Sequence, residues 1–183
     1  MSGSNLFDHS SPAEICADKA ATIRRKASQT TSVSALEAKR DEWIGEMTLQ
    51  APAIDRSTAV FDTVEDKSQV RVELTLQFSG PTTLFSVRPA SITPPTAYGS
   101  YGGYRQNHDF KLIEWFPLGT GPDAVKEAFR TLLDQIEEAF AVMLKEAAQH
   151  NQTAANQVDR IIDKRREELG GIDNLRDGLS GGL

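Results

Sequence analysis

The sequence predicts an α+β fold: an antiparallel sheet of three or four strands packed against N-terminal helices and a long C-terminal helical hairpin. Three observations carry this. In residues 69–78, Val70, Val72, Leu74, Leu76 and Phe78 alternate strictly with Arg71, Glu73, Thr75 and Gln77. That is the period of a strand with one buried and one wet face, as in an antiparallel sheet. In residues 123–169, Val125, Phe129, Leu133, Ile136, Phe140, Met143 and Ala147 fall at steps of four and three, which draws one apolar stripe down a helix. Near the N-terminus, Ser11-Pro12-Ala13-Glu14 and Ser34-Ala35-Leu36-Glu37 both have the form of a helix-capping box.

Taken in order, residues 1–11 are polar and terminal and are expected to be disordered. A first helix runs from Pro12 to about Ser28, with Cys16, Ala20, Ile23 and Ala27 on one small-residue face. Its Arg24-Arg25-Lys26 cluster reads as a solvated helix end favoured by the helix dipole, with phosphate binding as the alternative. A second helix carries Leu36, Trp43, Ile44 and Met47 to one side and ends before Ala51-Pro52. Residues 57–64 read as a strand. Ser79-Gly80-Pro81 is a turn signal, so residues 69–78 and 82–88 are expected to pair as a hairpin. Residues 110–116 are apolar enough for a strand buried on both sides. Thr120-Gly121-Pro122-Asp123 opens the long helical region. A single rod from 123 to 169 would be roughly 70 Å long, against a diameter near 40 Å for a compact globule of this size. The polar stretch His150-Asn151-Gln152-Thr153 is therefore read as a break near Asn151, giving an antiparallel pair. A straight helix covered by a second copy is the alternative. Gly170-Gly171 is expected to end the helix, leaving 170–183 as a flexible tail and 12–169 as a single α+β domain.

Composition narrows the function classes. The chain has 183 residues and a net charge of -6, which argues against a large basic face for nucleic acid. No apolar run reaches the roughly 18 residues of a membrane span. A single cysteine, Cys16, excludes an internal disulfide and a multi-cysteine zinc site, and leaves a cytoplasmic location as the expectation. No cofactor, metal or catalytic residue is assigned. His9, His108 and His150 have no ligand partner at metal spacing. Gly119-Thr120-Gly121 precedes a helix but lacks the lysine and serine or threonine of a phosphate loop. Asp109 and Glu114 flank a strand as nuclease carboxylates can, but Phe116 stands where a lysine is needed.

The long loop 89–109 holds Pro94-Pro95 and all three tyrosines, Tyr98, Tyr101 and Tyr104, followed by Arg105. Loops of this length are often functional. Tyrosines beside glycine and arginine suit a protein contact or base stacking, or they lie on their own domain as part of a surface loop. The candidate partner-binding residues are Tyr98, Tyr101, Tyr104 and Arg105, with Arg88 at the other end of the loop.

The block Phe78-Ser79-Gly80, Leu84-Phe85-Ser86-Val87-Arg88-Pro89-Ala90-Ser91 and Pro94-Pro95, together with Asn151 and Arg165-Arg166-x-x-Leu169, resembles a module of uncharacterised bacterial proteins. In that module a Phe-x-Gly turn, a strand ending in Arg-Pro-Ser and a Pro-Pro loop precede a long helical pair. Here Ala90 interrupts the triplet. The resemblance spans residues 68–170 and implies an accessory or sensing part of a defence-type effector system. It carries over no catalytic residue. The expected function is thus a non-enzymatic interaction or regulatory module with a protein partner, either monomeric or a homodimer through the long helix. The alternatives are a small enzyme with a site around Arg105, His108 and Asp109, or a nucleic-acid contact through residues 98–105.

Overall fold

The computed structural model describes residues 4–7, 10–66, 68–102 and 108–180. The chain is α+β and divides into two compact units, Met1–Pro12 with Gln50–Glu146, and Ala13–Leu49 with Ala147–Leu183.

The first unit is a mixed layer of sheet and helix. Its strands are β1 (Ser4–Asn5), β2 (Ala53–Asp66), β3 (Gln69–Ser79), β4 (Tyr98–Gly102) and β5 (Asp109–Pro117). They lie in the order β1-β4-β5-β3-β2, and every neighbouring pair is antiparallel. The alternation in β3 fixes its register: Val72, Leu74, Leu76 and Phe78 are buried. Leu74 sits opposite Leu112 and Phe61, and Leu76 opposite Phe110. This inner face receives helix α4 (Pro122–Glu146). Phe129 of its stripe meets the rings of Phe61 and Phe116, and Phe140 meets Phe7 and Phe85. Burying each such side chain is worth about 1.5–3 kcal/mol, so the sheet accounts for the stripe inside this unit.

Five local expectations are corrected here. Residues 82–88 do not return as a strand. Leu84, Phe85 and Val87 are all buried, a pattern that period two cannot satisfy, and Thr83–Phe85 forms a short 3-10 turn instead. Phe85 becomes the hub of the core, with Phe110, Tyr101, Phe78 and Phe140 rings at 4.6, 4.9, 5.2 and 5.4 Å. The hairpin partner of β3 is β2, which precedes it. The long loop 89–109 contains β4. Gly99 lets it come so close to β5 that a Cβ there would stand 2.1 Å from the Lys111 carbonyl oxygen. Finally, β5 is not buried on both sides, because Trp115 is exposed. The N-terminal segment, expected to be disordered, contributes β1. Leu6 and Phe7 are buried, and their N–H groups donate to the carbonyls of Ala97 and Phe85.

The second unit is helical: α1 (Pro12–Gln29), α2 (Val33–Ala38), α3 (Arg40–Met47) and α5 (Ala148–Ser180). Ala20, Ile23, Leu36, Trp43, Met47, Val158 and Ile162 form its core. The cap of α2 is Ser32 rather than Ser34, its hydroxyl accepting from the Ala35 N–H. The C-terminal region forms two long helices, α4 and α5, as expected, but the break between them is Ala147 rather than Asn151. Asn151 lies inside α5. Its side chain accepts the Leu49 N–H at 2.9 Å and donates to the Leu49 carbonyl at 3.0 Å, a tertiary clasp that accounts for a polar residue there. Gly170 and Gly171 do not stop α5, which continues through them to Ser180. Each costs the helix about 1 kcal/mol relative to alanine, a cost the preceding packed turns of α5 can sustain.

Candidate functional site

The strand register sorts the candidate residues by face. Opposed residues in an antiparallel pair share a face, so Val60, Asp62 and Val64 of β2, Arg71 and Glu73 of β3, Ile113 and Trp115 of β5, and Tyr98 of β4 lie on the outer side. Lys111 donates to Glu73 at 2.6 Å across this face. Tyr98 and Trp115 pack edge to face at 6.3 Å and are 42% and 45% exposed, with Val60 and Val64 at 64% and 47%. Beneath them Ile113 is buried although it points to the outer side. Arg71 stands between Val64 and Trp115 in the register, and its Nε is buried without a hydrogen-bond partner.

The expected site residues are not all brought together. Tyr98 is on the outer face, but Tyr101 lies on the inner one, its ring stacked on Phe85. Spacing by three in a strand sends the two rings to opposite sides. Tyr104 and Arg105 lie outside the described residues. Arg88 is exposed, and its backbone N–H donates to the Ser10 carbonyl. Sequence reasoning missed Trp115, Arg71, Val60 and Val64. The outward phase of the β3 alternation was a signal for Arg71, but only the pairing of β5 shows that Trp115 shares its side.

The residues of the bacterial resemblance serve the fold. The backbone N–H groups of Ala90 and Ser91 donate to the Glu146 carboxylate at 3.0 and 2.8 Å, and the Ser91 hydroxyl donates to it as well. Burial raises the Glu146 pKa, but these three bonds outweigh it and hold the carboxyl below its usual value. Asn151 clasps Leu49, and Arg165 donates from Nε and Nη2 to the Thr30 carbonyl at 3.2 and 3.1 Å.

The other candidate titratable groups among the described residues are held apart. Glu114 is on the inner face, opposite Val72, and burial raises its pKa. Asp109, opposite Gln77, is on the outer side, so the two carboxylates face away from each other across the sheet. Burial pushes the Cys16 thiol up, against a modest lowering by Lys19, which keeps it protonated and poorly nucleophilic. The His108 ring packs against Phe78 at 5.1 Å, and His150 Nε2 lies 3.0 Å from the Met47 carbonyl, which it can bond only as a donor. Among the described residues no three His, Cys, Asp or Glu side chains are placed to hold a metal, and no helix is long and apolar enough to cross a membrane.

Cavities open in both units among the described residues. In the first unit, a cavity of about 300 Å³ lies between the inner face and the start of α4, walled by Phe61, Val70, Val72, Phe116 and Val125, with Lys126 at its side. In the second, a cleft of about 610 Å³ between α1 and α5 is lined by Arg24, Arg160, Lys164 and Arg165. Compared with known proteins, the chain matches no family model, no curated protein and no solved structure.

Proposed function

We propose that this chain is a non-enzymatic interaction module that docks a protein partner on the outer face of its sheet. One observation carries the reading: the exposed Tyr98–Trp115 pair on the same face as Arg71, which has no acid paired to it among the described residues, with Val60 and Val64 exposed on that face at the edge strand β2. Aromatic residues and arginine are the types enriched at interface cores and hot spots, where lysine and acids are depleted. The occupant is a protein surface with an apolar patch and a carboxylate. The apolar patch covers Trp115 and Tyr98, and the carboxylate meets the Arg71 guanidinium, because Lys111 is already paired with Glu73 on this face. In this reading the module works in the cytoplasm, and the resemblance across residues 68–170 makes its partner an effector component of a bacterial defence system.

The test is recovery of partners from cells with the wild-type chain and with Trp115→Ala and Arg71→Glu. Trp115 is exposed, so its removal leaves the fold intact, which circular dichroism verifies. The reading requires a defined protein that the wild-type chain binds again when both are purified, with affinity lost at least tenfold in each variant. Binding unchanged by both variants refutes it. A second copy of this chain as the only occupant also refutes it.

A further inference from the structure

We propose that the cleft between α1 and α5 is a binding site for a soluble ligand bearing a polyphosphate group. The cleft belongs entirely to the helical unit. Its lining places Arg24 on α1 against Arg160, Lys164 and Arg165 on α5, with Glu168 the only acid among the lining residues. This concentration of positive charge sits in a chain whose net charge is -6.

The four cations are not equivalent. Arg165 is half-buried and committed: it holds the Thr30 carbonyl with Nε and Nη2, and the Glu168 carboxylate with Nη1 at 3.0 Å. That second bond also neutralises the one acid of the cleft. Among the described residues, Arg24, Arg160 and Lys164 have no ion-pair or hydrogen-bond partner. They stand in contrast to the neighbouring cations of the same unit. Lys26 is paired with Glu46, Arg40 with Asp159, and Arg166 with Glu37 and Asp163.

A run of charge on one helix is ordinarily a solvated face. Here cations from two helices converge on one concave volume. Its lining includes the small residues Ala27 and Ser28, which leave room between the helices. Arg160 and Lys164 are one turn apart, about 6 Å along α5, and like charges so placed repel. A ligand with two or more phosphates spans such a pair and reaches Arg24 from the other side, and arginine suits phosphate because its fork donates two parallel bonds. The volume lies in the range of small-molecule sites, about 300–1,000 Å³. Ser28 and Gln157 add neutral polar groups to the lining, with the Ser28 Oγ–H donating to the Arg25 carbonyl and Gln157 Nε2 to Thr153 Oγ1.

The test is titration calorimetry of the full chain with inorganic triphosphate, inorganic phosphate and a short single-stranded DNA, at low and physiological salt. The expected result is triphosphate binding that weakens as salt rises, at least tenfold tighter than phosphate. Arg160→Glu and Lys164→Glu each lose at least tenfold. Arg25→Glu, a neighbouring charge reversal outside the cleft, changes affinity less than threefold. Both positions are exposed on α5, and circular dichroism checks that the variants fold. Lack of triphosphate binding at low salt overturns the proposal, as does an equal loss in Arg25→Glu, which would mark diffuse attraction. DNA binding tighter than triphosphate binding, lost in the same variants, would assign the cleft to nucleic acid and overturn it too.

Discussion

Replacing Asn151 by alanine separates two accounts of the helical region by the sign of its effect. In the structure the Asn151 amide satisfies both backbone groups of Leu49, a residue 2% exposed. Truncation leaves one donor and one acceptor in a dry place, at about 1–3 kcal/mol each. Alanine returns about 0.6 kcal/mol through its better helix propensity. The net expectation is a loss of about 1.5–5.5 kcal/mol. If Asn151 were instead a turn residue between helices, the change would be near neutral. The assay is urea denaturation followed by tryptophan fluorescence. The chain has two tryptophans, the buried Trp43 in the helical unit and the exposed Trp115 in the sheet unit. In a Trp115→Phe background the signal therefore reports the unit that holds Asn151. Asn151→Asp keeps an acceptor for the Leu49 N–H but sets a carboxylate oxygen against the Leu49 carbonyl, so it should also lower the midpoint at pH 7. An unchanged or raised midpoint for Asn151→Ala would refute the clasp.

Three further outcomes follow from the sheet unit. Leu74→Ala, at a fully buried position between Leu112 and Phe61, should cost about 2–5 kcal/mol in denaturant; an unchanged midpoint would contradict the register. Gly99→Ala should disrupt the pairing of β4 with β5, because its Cβ meets the Lys111 carbonyl, and amide exchange of the β4–β5 bonds should accelerate at least tenfold. Glu114 has its folded pKa raised by burial, so the folded state holds its proton to higher pH than the unfolded chain does. Its contribution to stability falls as pH rises from the unfolded value through the folded one. Glu114→Gln should therefore stabilise the protein at pH 7 and make no difference below the ordinary glutamate pKa; a stability gain that is the same at both pH values would contradict the assignment.

The fold class was legible because two periodicities are strong. The alternation in β3 and the stripe on α4 each bury one face, and both faces are filled as their phase requires. What was not legible depends on contacts distant in sequence. Residues 82–88 look like a strand by composition, but Phe85 is claimed by rings from β3, β4, β5 and α4, and a short helical turn presents it to all of them. Residues 98–102 look like a loop because of their glycines, yet Gly99 is what permits the close strand pairing. Asn151 looks like a helix breaker until its partner, Leu49, is known. The candidate site was read by the same local signals. Tyr98 was found because tyrosines cluster there, but their grouping dissolves once β4 sends Tyr98 and Tyr101 to opposite faces. Arg24 was noticed as part of a basic run; its opposition to Arg160 and Lys164 exists only after α1 and α5 pack together.

The docking of a protein partner on the outer face is tested most directly by a photo-crosslinking scan along β2. Residues 60 to 65 of this edge strand are all exposed, so a photoreactive side chain can be placed at each; at position 61 an aromatic photoprobe keeps a ring against Phe129. The register sends Val60, Asp62 and Val64 to the outer side, and Phe61, Thr63 and Glu65 to the inner one. The account predicts adducts with one protein partner at positions 60, 62 and 64, with yields at least fivefold above those at 61, 63 and 65, and their loss in Arg71→Glu. Adducts at 61, 63 and 65 instead, or equal yields at all six positions, would contradict it.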